Sequence, residues 1–143
     1  MNKLWILGLG PGHKDYILPI VNKKLREADI VVGGKRHLES IEITGIKRKL
    51  DIPLYKTIDY LKDNYKDNQI AVVVSGDTGF FSMLDLLKMH FKNEELETYP
   101  GISSLQYMFS KLNKSYKNAY IGSVHGRKID FKNIVNYKII GLL

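Results

Sequence analysis

Residues 70–74 read Ile70-Ala71-Val72-Val73-Val74 and run directly into Ser75-Gly76-Asp77-Thr78-Gly79. An unbroken apolar, mostly β-branched run predicts a strand buried on both faces, the pattern of a parallel sheet covered by helices on each side. Gly76 and Gly79 close the run and predict a loop at its carboxyl end. A parallel strand needs partners of its own kind and helices that cross between them.

Toward the amino terminus the requirement is met. Leu4-Trp5-Ile6-Leu7 is a second short apolar run closed by glycine, and Ile30-Val31-Val32 is a third, stopped by Gly33-Gly34. Between them Ile20, Val21 and Leu25 recur at helical spacing, with Pro19 suited to the first helical position and an end near Ala28. A short helix follows over Lys35 to Ser40, then a weaker strand from Ile46 to Leu50. Ile58, Leu61 and Tyr65 mark a helix that ends in the polar stretch Lys66 to Gln69. Toward the carboxyl terminus the pattern predicts a helix over Ser82 to Phe91, a strand over Leu96 to Tyr99 and a helix over Ile102 to Leu112. Strands are predicted over Ala119 to Gly122 and Tyr137 to Leu143. Strands alternating with helices define an α/β fold, an open and mostly parallel sheet flanked by helices. The last strand has no helix after it in this sequence, which is expected of a chain whose second domain is cut short, and association through that strand is the expected way of covering it.

The 143 residues allow one ordinary domain, and 44% hydrophobic with 26% charged residues is a globular composition. There is no cysteine, which excludes a disulfide scaffold, a thiolate zinc site, a cysteine nucleophile and an iron–sulfur cluster. No apolar run approaches the roughly 20 residues that cross a bilayer, so no membrane partner is expected and the chain is assigned to the cytoplasm. The net charge of +7 raises the question of a nucleic-acid partner. Lysines supply most of that charge and are spread along the whole chain, and only Arg26, Arg36, Arg48 and Arg127 can bind anions bidentately. A solvated basic surface or an anionic small molecule accounts for this better than nucleic acid.

Three glycine loops each follow a predicted strand: Gly8-Leu9-Gly10-Pro11-Gly12, Gly76-Asp77-Thr78-Gly79 and Pro100-Gly101. Ligands of open α/β sheets bind outside the carboxyl ends of the strands, where such loops meet. The first loop is not a dinucleotide fingerprint. His13 stands at the third glycine position, Pro11 removes a backbone N–H, and Gly33-Gly34 stand where a ribose-binding carboxylate is needed. No Gly-Lys-Ser or Gly-Lys-Thr occurs, which excludes a P-loop. The four histidines, His13, His37, His90 and His125, have no metal-ligand spacing, and no metal site is expected.

GLGPG at 8–12, SGDTGFFS at 75–82 and YPGISS at 99–104 resemble the three motifs of the tetrapyrrole methylases. ADIVVGGKRHL at 28–38 and SVHGR at 123–127 are similar to the cobalt-precorrin C5-methyltransferase branch, also found as part of precorrin-6Y methylase. The resemblance runs from Leu4 to the last residue. It departs at Thr78, where the family commonly has the proline of Gly-Asp-Pro, and in length.

The resemblance implies an S-adenosylmethionine-dependent C-methyltransferase of cobalamin biosynthesis that acts on C5 of a cobalt-precorrin or precorrin-6. A different ring position, or a basic nucleic-acid-binding module, is the alternative. It implies an N-terminal methylase domain over residues 1–117 and the start of a truncated second domain over 118–143. Pro11, Gly12, Gly76, Asp77, Phe80, Ser103 and Ser104 are then expected at the cofactor. Asp77 can accept from an ammonium or a ribose hydroxyl, and the serines can donate to a carboxylate. Helix capping is the competing role for Asp77 and the serines. Lys35, Arg36 and Arg127 are expected to bind substrate carboxylates and His125 to carry the proton, a solvent-exposed loop histidine being the alternative. A homo-oligomer and a decarboxylating C15-methyltransferase partner are also implied.

Overall fold

Alternate residues of the central strands point to opposite faces, and each face has its own set of helices. The computed structural model describes residues 2–124 and 129–143. The chain forms two units, Met1–Ile102 and Ser103–Leu143. In the first, the strands are β1 (Leu4–Gly8), β2 (Ile30–Gly33), β3 (Ile46–Lys49), β4 (Ile70–Val74) and β5 (Leu96–Tyr99). The helices are α1 (Pro19–Glu27), α2 (Lys35–Glu39), α3 (Tyr55–Asn64) and α4 (Leu84–Lys88), with 3-10 turns at Lys14–Tyr16 and Asn93–Glu95. Leu4, Ile6, Ile70, Val72 and Val74 pack with Ile58 and Leu61 of α3 and Leu87 of α4. Trp5, Leu7, Ala71 and Val73 pack on the other side with Val21 and Leu25 of α1 and Leu38 of α2. All five residues of β4 are buried, as an apolar run without alternation requires.

The sheet order is β3-β2-β4-β1-β5, and every pairing is parallel. From β1 the chain passes β4 to reach β2, whereas from β4 it passes β1 to reach β5. Right-handed crossovers taken in opposite directions put the helices on opposite faces, which is why α1 and α4 serve different core layers. The neighbours β1 and β4 therefore form a topological switch point, and the loops at their carboxyl ends diverge from a shared crevice.

Four contacts tie down the margins of the sheet. The edge strand β3 reads Ile46-Lys47-Arg48-Lys49, and its cations discourage further pairing. The Lys47 Nζ donates to the carbonyls of Leu38 and Ile41, each at 2.6 Å, which satisfies acceptors at the end of α2. At the opposite edge the indole Nε1 of Trp5 donates to Glu97 of β5 at 3.1 Å, and the Lys24 ammonium of α1 lies 4.1 Å over the indole ring.

The second unit holds α5 (Ser104–Lys111), β6 (Tyr120–Gly122), α6 (Phe131–Ile134) and β7 (Ile140–Leu142), with β6 and β7 parallel. A Cβ built on Gly141 would stand 3.2 Å from Leu105 and 3.3 Å from Phe109, so α5 covers one face of β7. A helix that precedes the strand thus covers one of its faces, which the expectation of a strand covered only by association did not include; Ile140 and Leu142 are exposed on the other face. β7 is also shorter than the predicted Tyr137 to Leu143, because Tyr137 closes the turn after α6 by donating to the Ile134 carbonyl. The predicted helix over Ser82 to Phe91 shrinks to α4. Phe81 has φ +52°, outside the right-handed helical region, and the chain cannot enter a helix there.

Candidate functional site

Three loops meet backbone to backbone at the switch point. Beyond β1 and β4 the chain zips on: Leu9 N donates to the Val74 carbonyl at 2.9 Å, Gly10 N to Gly76 O at 3.1 Å, and Gly76 N to Gly10 O at 2.8 Å. Gly10 and Gly76 hold φ +78° and +64°, a conformation that favours glycine. A Cβ on Gly8 would sit 2.7 Å from both Gly101 N and Gly76 O, and one on Gly101 would sit 2.7 Å from Gly8 O. No side chain fits between these loops.

Asp77 fastens the arrangement. Its Oδ1 accepts from Gly101 N and its Oδ2 from Gly79 N, each at 3.0 Å. The carboxylate therefore joins the loop after β4 to the loop after β5, and it caps no helix, since α4 begins only at Leu84. Each oxygen keeps acceptor capacity for a further donor. Gly12, at φ +113°, has nothing within 4 Å of where a Cβ would lie, so the crevice opens beside it, with Pro11 half-buried next to it. The loop that starts at Asp77 then presents Phe80 and Phe81, whose ring centroids are 4.8 Å apart in an edge-to-face pair.

The remaining predicted residues are placed less uniformly. Lys35 and Arg36 are the first residues of α2 and are exposed, and the Lys35 Nζ lies 3.8 Å from Glu39. α2 follows β2, so it starts at the same edge of the parallel sheet as the glycine loops. His37 beside them is half-buried, and its Nδ1 is enclosed with no hydrogen-bond partner. Burial, and secondarily the Arg36 charge, hold its pKa below the ordinary 6.5. In the second unit the Ser103 hydroxyl accepts from Gln106 N at 3.1 Å while the Gln106 side chain accepts from Ser103 N at 2.9 Å. This capping box realises for Ser103 the competing role; Ser104 is exposed at the first position of α5. His125 and Arg127 lie outside the described residues. Among the described residues no group of three or more metal-ligating side chains comes together.

Two contributors escaped the reading of the sequence. Gly101 as the partner of Asp77 has no local signal, since the two are 24 positions apart. Phe81 stands in the motif at 75–82, one residue before the predicted helix, and nothing in its residue type announces its positive φ.

An all-parallel open sheet with glycine loops knotted at its switch point defines an α/β protein of the kind that holds a small ligand at the carboxyl edge. The chain matches the Tetrapyrrole (Corrin/Porphyrin) Methylases over residues 3–137 and belongs to that family. It is 37% identical over 140 residues to the "Probable cobalt-precorrin-7 C(5)-methyltransferase" of Methanocaldococcus jannaschii, a match covering 93% of this chain and 65% of that protein. It is 28% identical over 141 residues to the "Cobalt-precorrin-7 C(5)-methyltransferase" of Salmonella typhimurium, covering 98% of this chain and 70% of that one. The chain thus spans about two-thirds of the length of these curated relatives. A crystal structure of a cobalamin-biosynthesis precorrin-6Y methylase from Archaeoglobus fulgidus superposes with a TM-score of 0.75 at 18% identity, over 99% of this chain and 72% of that one. At that identity the likeness is one of fold.

Proposed function

We propose that the chain is the cofactor-binding part of a methyltransferase that moves a methyl group from S-adenosylmethionine to C5 of a cobalt-precorrin in corrin biosynthesis. The observation that carries this reading is the 37% identity, over nearly the whole chain, to a relative named for that reaction. The switch-point geometry supports it. A cofactor joining an amino acid to a nucleoside needs an acceptor for its ammonium or ribose hydroxyls and a backbone that lets it approach closely. Asp77 has acceptor capacity to spare, and Gly12 borders open space. The residues present fit such a molecule.

S-adenosylmethionine supplies an electrophilic methyl on a sulfonium, so the protein needs no activated nucleophile of its own. Pro11, Gly12, Gly76, Asp77 and Phe80 bind and orient the cofactor, and the loops exclude water from the line of attack. Ser104 is the freer of the two serines to take part, because Ser103 is committed to its cap. Lys35, Arg36 and Arg127 bind substrate carboxylates, and His125 carries the proton exchanged at the alkylated carbon. Residues from 118 onward begin a second domain, and the working protein is a cytoplasmic homo-oligomer served by a decarboxylating C15-methyltransferase. The test is incubation of the protein with methyl-labelled S-adenosylmethionine and the cobalt-precorrin. Label at C5 is expected; label at another ring carbon overturns the position, and no transfer overturns the activity.

A further inference from the structure

β3 carries three cations in succession, and contacts within the fold account for two of them. Lys47 donates to the Leu38 and Ile41 carbonyls. Arg48, on the opposite face of the strand, reaches Asp51 at 2.9 Å and lies 3.7 Å over the Tyr60 ring. Lys49 is exposed, and its ammonium has no ion pair or hydrogen bond among the described residues. It is also the cation nearest the carboxyl edge, where ligands of such sheets bind. Lys49 pairs in register with Gly33, the last residue of β2, and Leu50 N donates to the Gly33 carbonyl at 2.9 Å. Strand alternation turns Lys49 to the same side as Lys47, the side of α2. Lys35 and Arg36 follow Gly33-Gly34 directly, so the backbones of the three residues lie within roughly 15 Å of one another.

This corner is short of anions. Arg36 has no carboxylate partner among the described residues, and Asp51, the acid closest to Lys49 in the chain, is taken by Arg48. Lys35 has only Glu39 at 3.8 Å, an exposed pair that water weakens. We propose that Lys49 is a further substrate-binding residue, which with Lys35 and Arg36 forms a cationic corner that takes the carboxylates of a polycarboxylate substrate. This rests on the methyltransferase reading above. Like charges gathered without counter-ions repel one another, and a ligand with several carboxylates on one frame relieves that repulsion at all three. β3 stands two strand spacings from β4, about 10 Å, so the ligand at this corner extends well beyond the loop that Asp77 fastens. Nucleic acid fits less well, because the chain past Lys49 reads Leu50-Asp51-Ile52-Pro53-Leu54, an acid among apolar residues rather than a continued basic track.

The experiment compares the unsubstituted chain with Lys49→Gln, Lys49→Arg and Lys62→Gln. Lys62 is an exposed lysine in the last turn of α3, and its replacement removes the same charge away from the corner. Uroporphyrin III serves as the polycarboxylate probe and S-adenosylhomocysteine as the cofactor probe, each titrated at about 0.15 M salt, where the screening length is about 8 Å. Lys49→Gln is expected to lose about threefold in uroporphyrin affinity, to leave S-adenosylhomocysteine affinity unchanged and to keep the thermal midpoint. Lys49→Arg is expected to retain uroporphyrin binding, and Lys62→Gln to leave it unchanged. Unchanged uroporphyrin affinity in Lys49→Gln overturns the proposal. So does an equal loss in Lys62→Gln, which would make the effect one of net charge alone, or a fallen midpoint in Lys49→Gln, which would make the lysine a part of the fold. If the unsubstituted chain binds S-adenosylhomocysteine but not uroporphyrin, this inference fails and the cofactor reading stands. If it binds neither, the methyltransferase reading fails and takes this inference with it.

Discussion

A single methyl group at Gly101 would collide with the backbone of Gly8 and Gly76, and those atoms belong to the strands' own hydrogen-bonded ends. Gly101→Ala is expected to lower stability by about 1–3 kcal/mol in urea unfolding, as overpacking against rigid atoms does. Gly12→Ala meets open space and carries only the backbone penalty of its positive φ, on the order of 1 kcal/mol. Equal costs at the two positions would show that the loops are not closely knotted. His37 makes a second prediction at this scale. Its folded pKa lies below 6.5, so the folded protein binds fewer protons than the unfolded chain once the pH falls below that value. Stability conferred by the neutral ring is complete above pH 6.5 and is lost as the pH falls through the folded pKa. Urea midpoints measured from about pH 7.5 to 5 should decline less in His37→Gln than in the unsubstituted chain; parallel curves would overturn this assignment. The glycines and Asp77 were legible as loop residues at the strand ends because turn chemistry is local. What Asp77 binds was not, since a carboxylate that accepts from a distant loop leaves no trace in spacing.

Helices and strands were legible where an apolar period ran long enough, and their ends were not. The runs at Leu4, Ile30 and Ile70 became β1, β2 and β4, with core faces alternating residue by residue. α4 begins at Leu84 rather than at the predicted Ser82, just beyond the left-handed Phe81, a backbone state that no residue pattern announces. α6, only four residues long, is too short to show a period, although Asp130 accepting from Lys132 N at 3.0 Å is an ordinary cap signal. The cap of α5 yields the element-scale prediction. Ser103 is 5% exposed and both halves of its capping box form, so Ser103→Ala should cost about 0.5–2 kcal/mol. Ser104→Ala, at an exposed helical position, should leave stability nearly unchanged by the same urea titration. The reverse ranking would return Ser103 to a purely ligand-binding role.

Across the whole molecule, charge and fold make competing claims that one pair of measurements separates. A net charge of +7 attracts polyanions at low salt whatever the function. Specific binding of S-adenosylhomocysteine instead stabilises the folded state by mass action, by about 2.7 kcal/mol at a hundred times its Kd. The expected result is a raised thermal midpoint with that ligand and no retention on DNA at physiological salt. Tight, salt-sensitive DNA binding without a ligand-induced shift would overturn the assignment. Among the described residues no helix is long and apolar enough to cross a membrane. The α/β class was legible in the alternation of elements, but the strand order was not, because nothing local says that β4 inserts between β2 and β1. One contact at the far edge of that sheet also makes the first unit separately observable. Trp5 is the only tryptophan of the chain; it is 7% exposed and bonded across β1 to β5 beneath the Lys24 ammonium. Its fluorescence emission is a spectroscopic label for that sheet, blue-shifted while β1 and β5 stay paired and red-shifted when they part. Followed beside far-ultraviolet circular dichroism, which averages every helix and strand, it will show whether residues 1–102 melt together with residues 103–143 or apart from them.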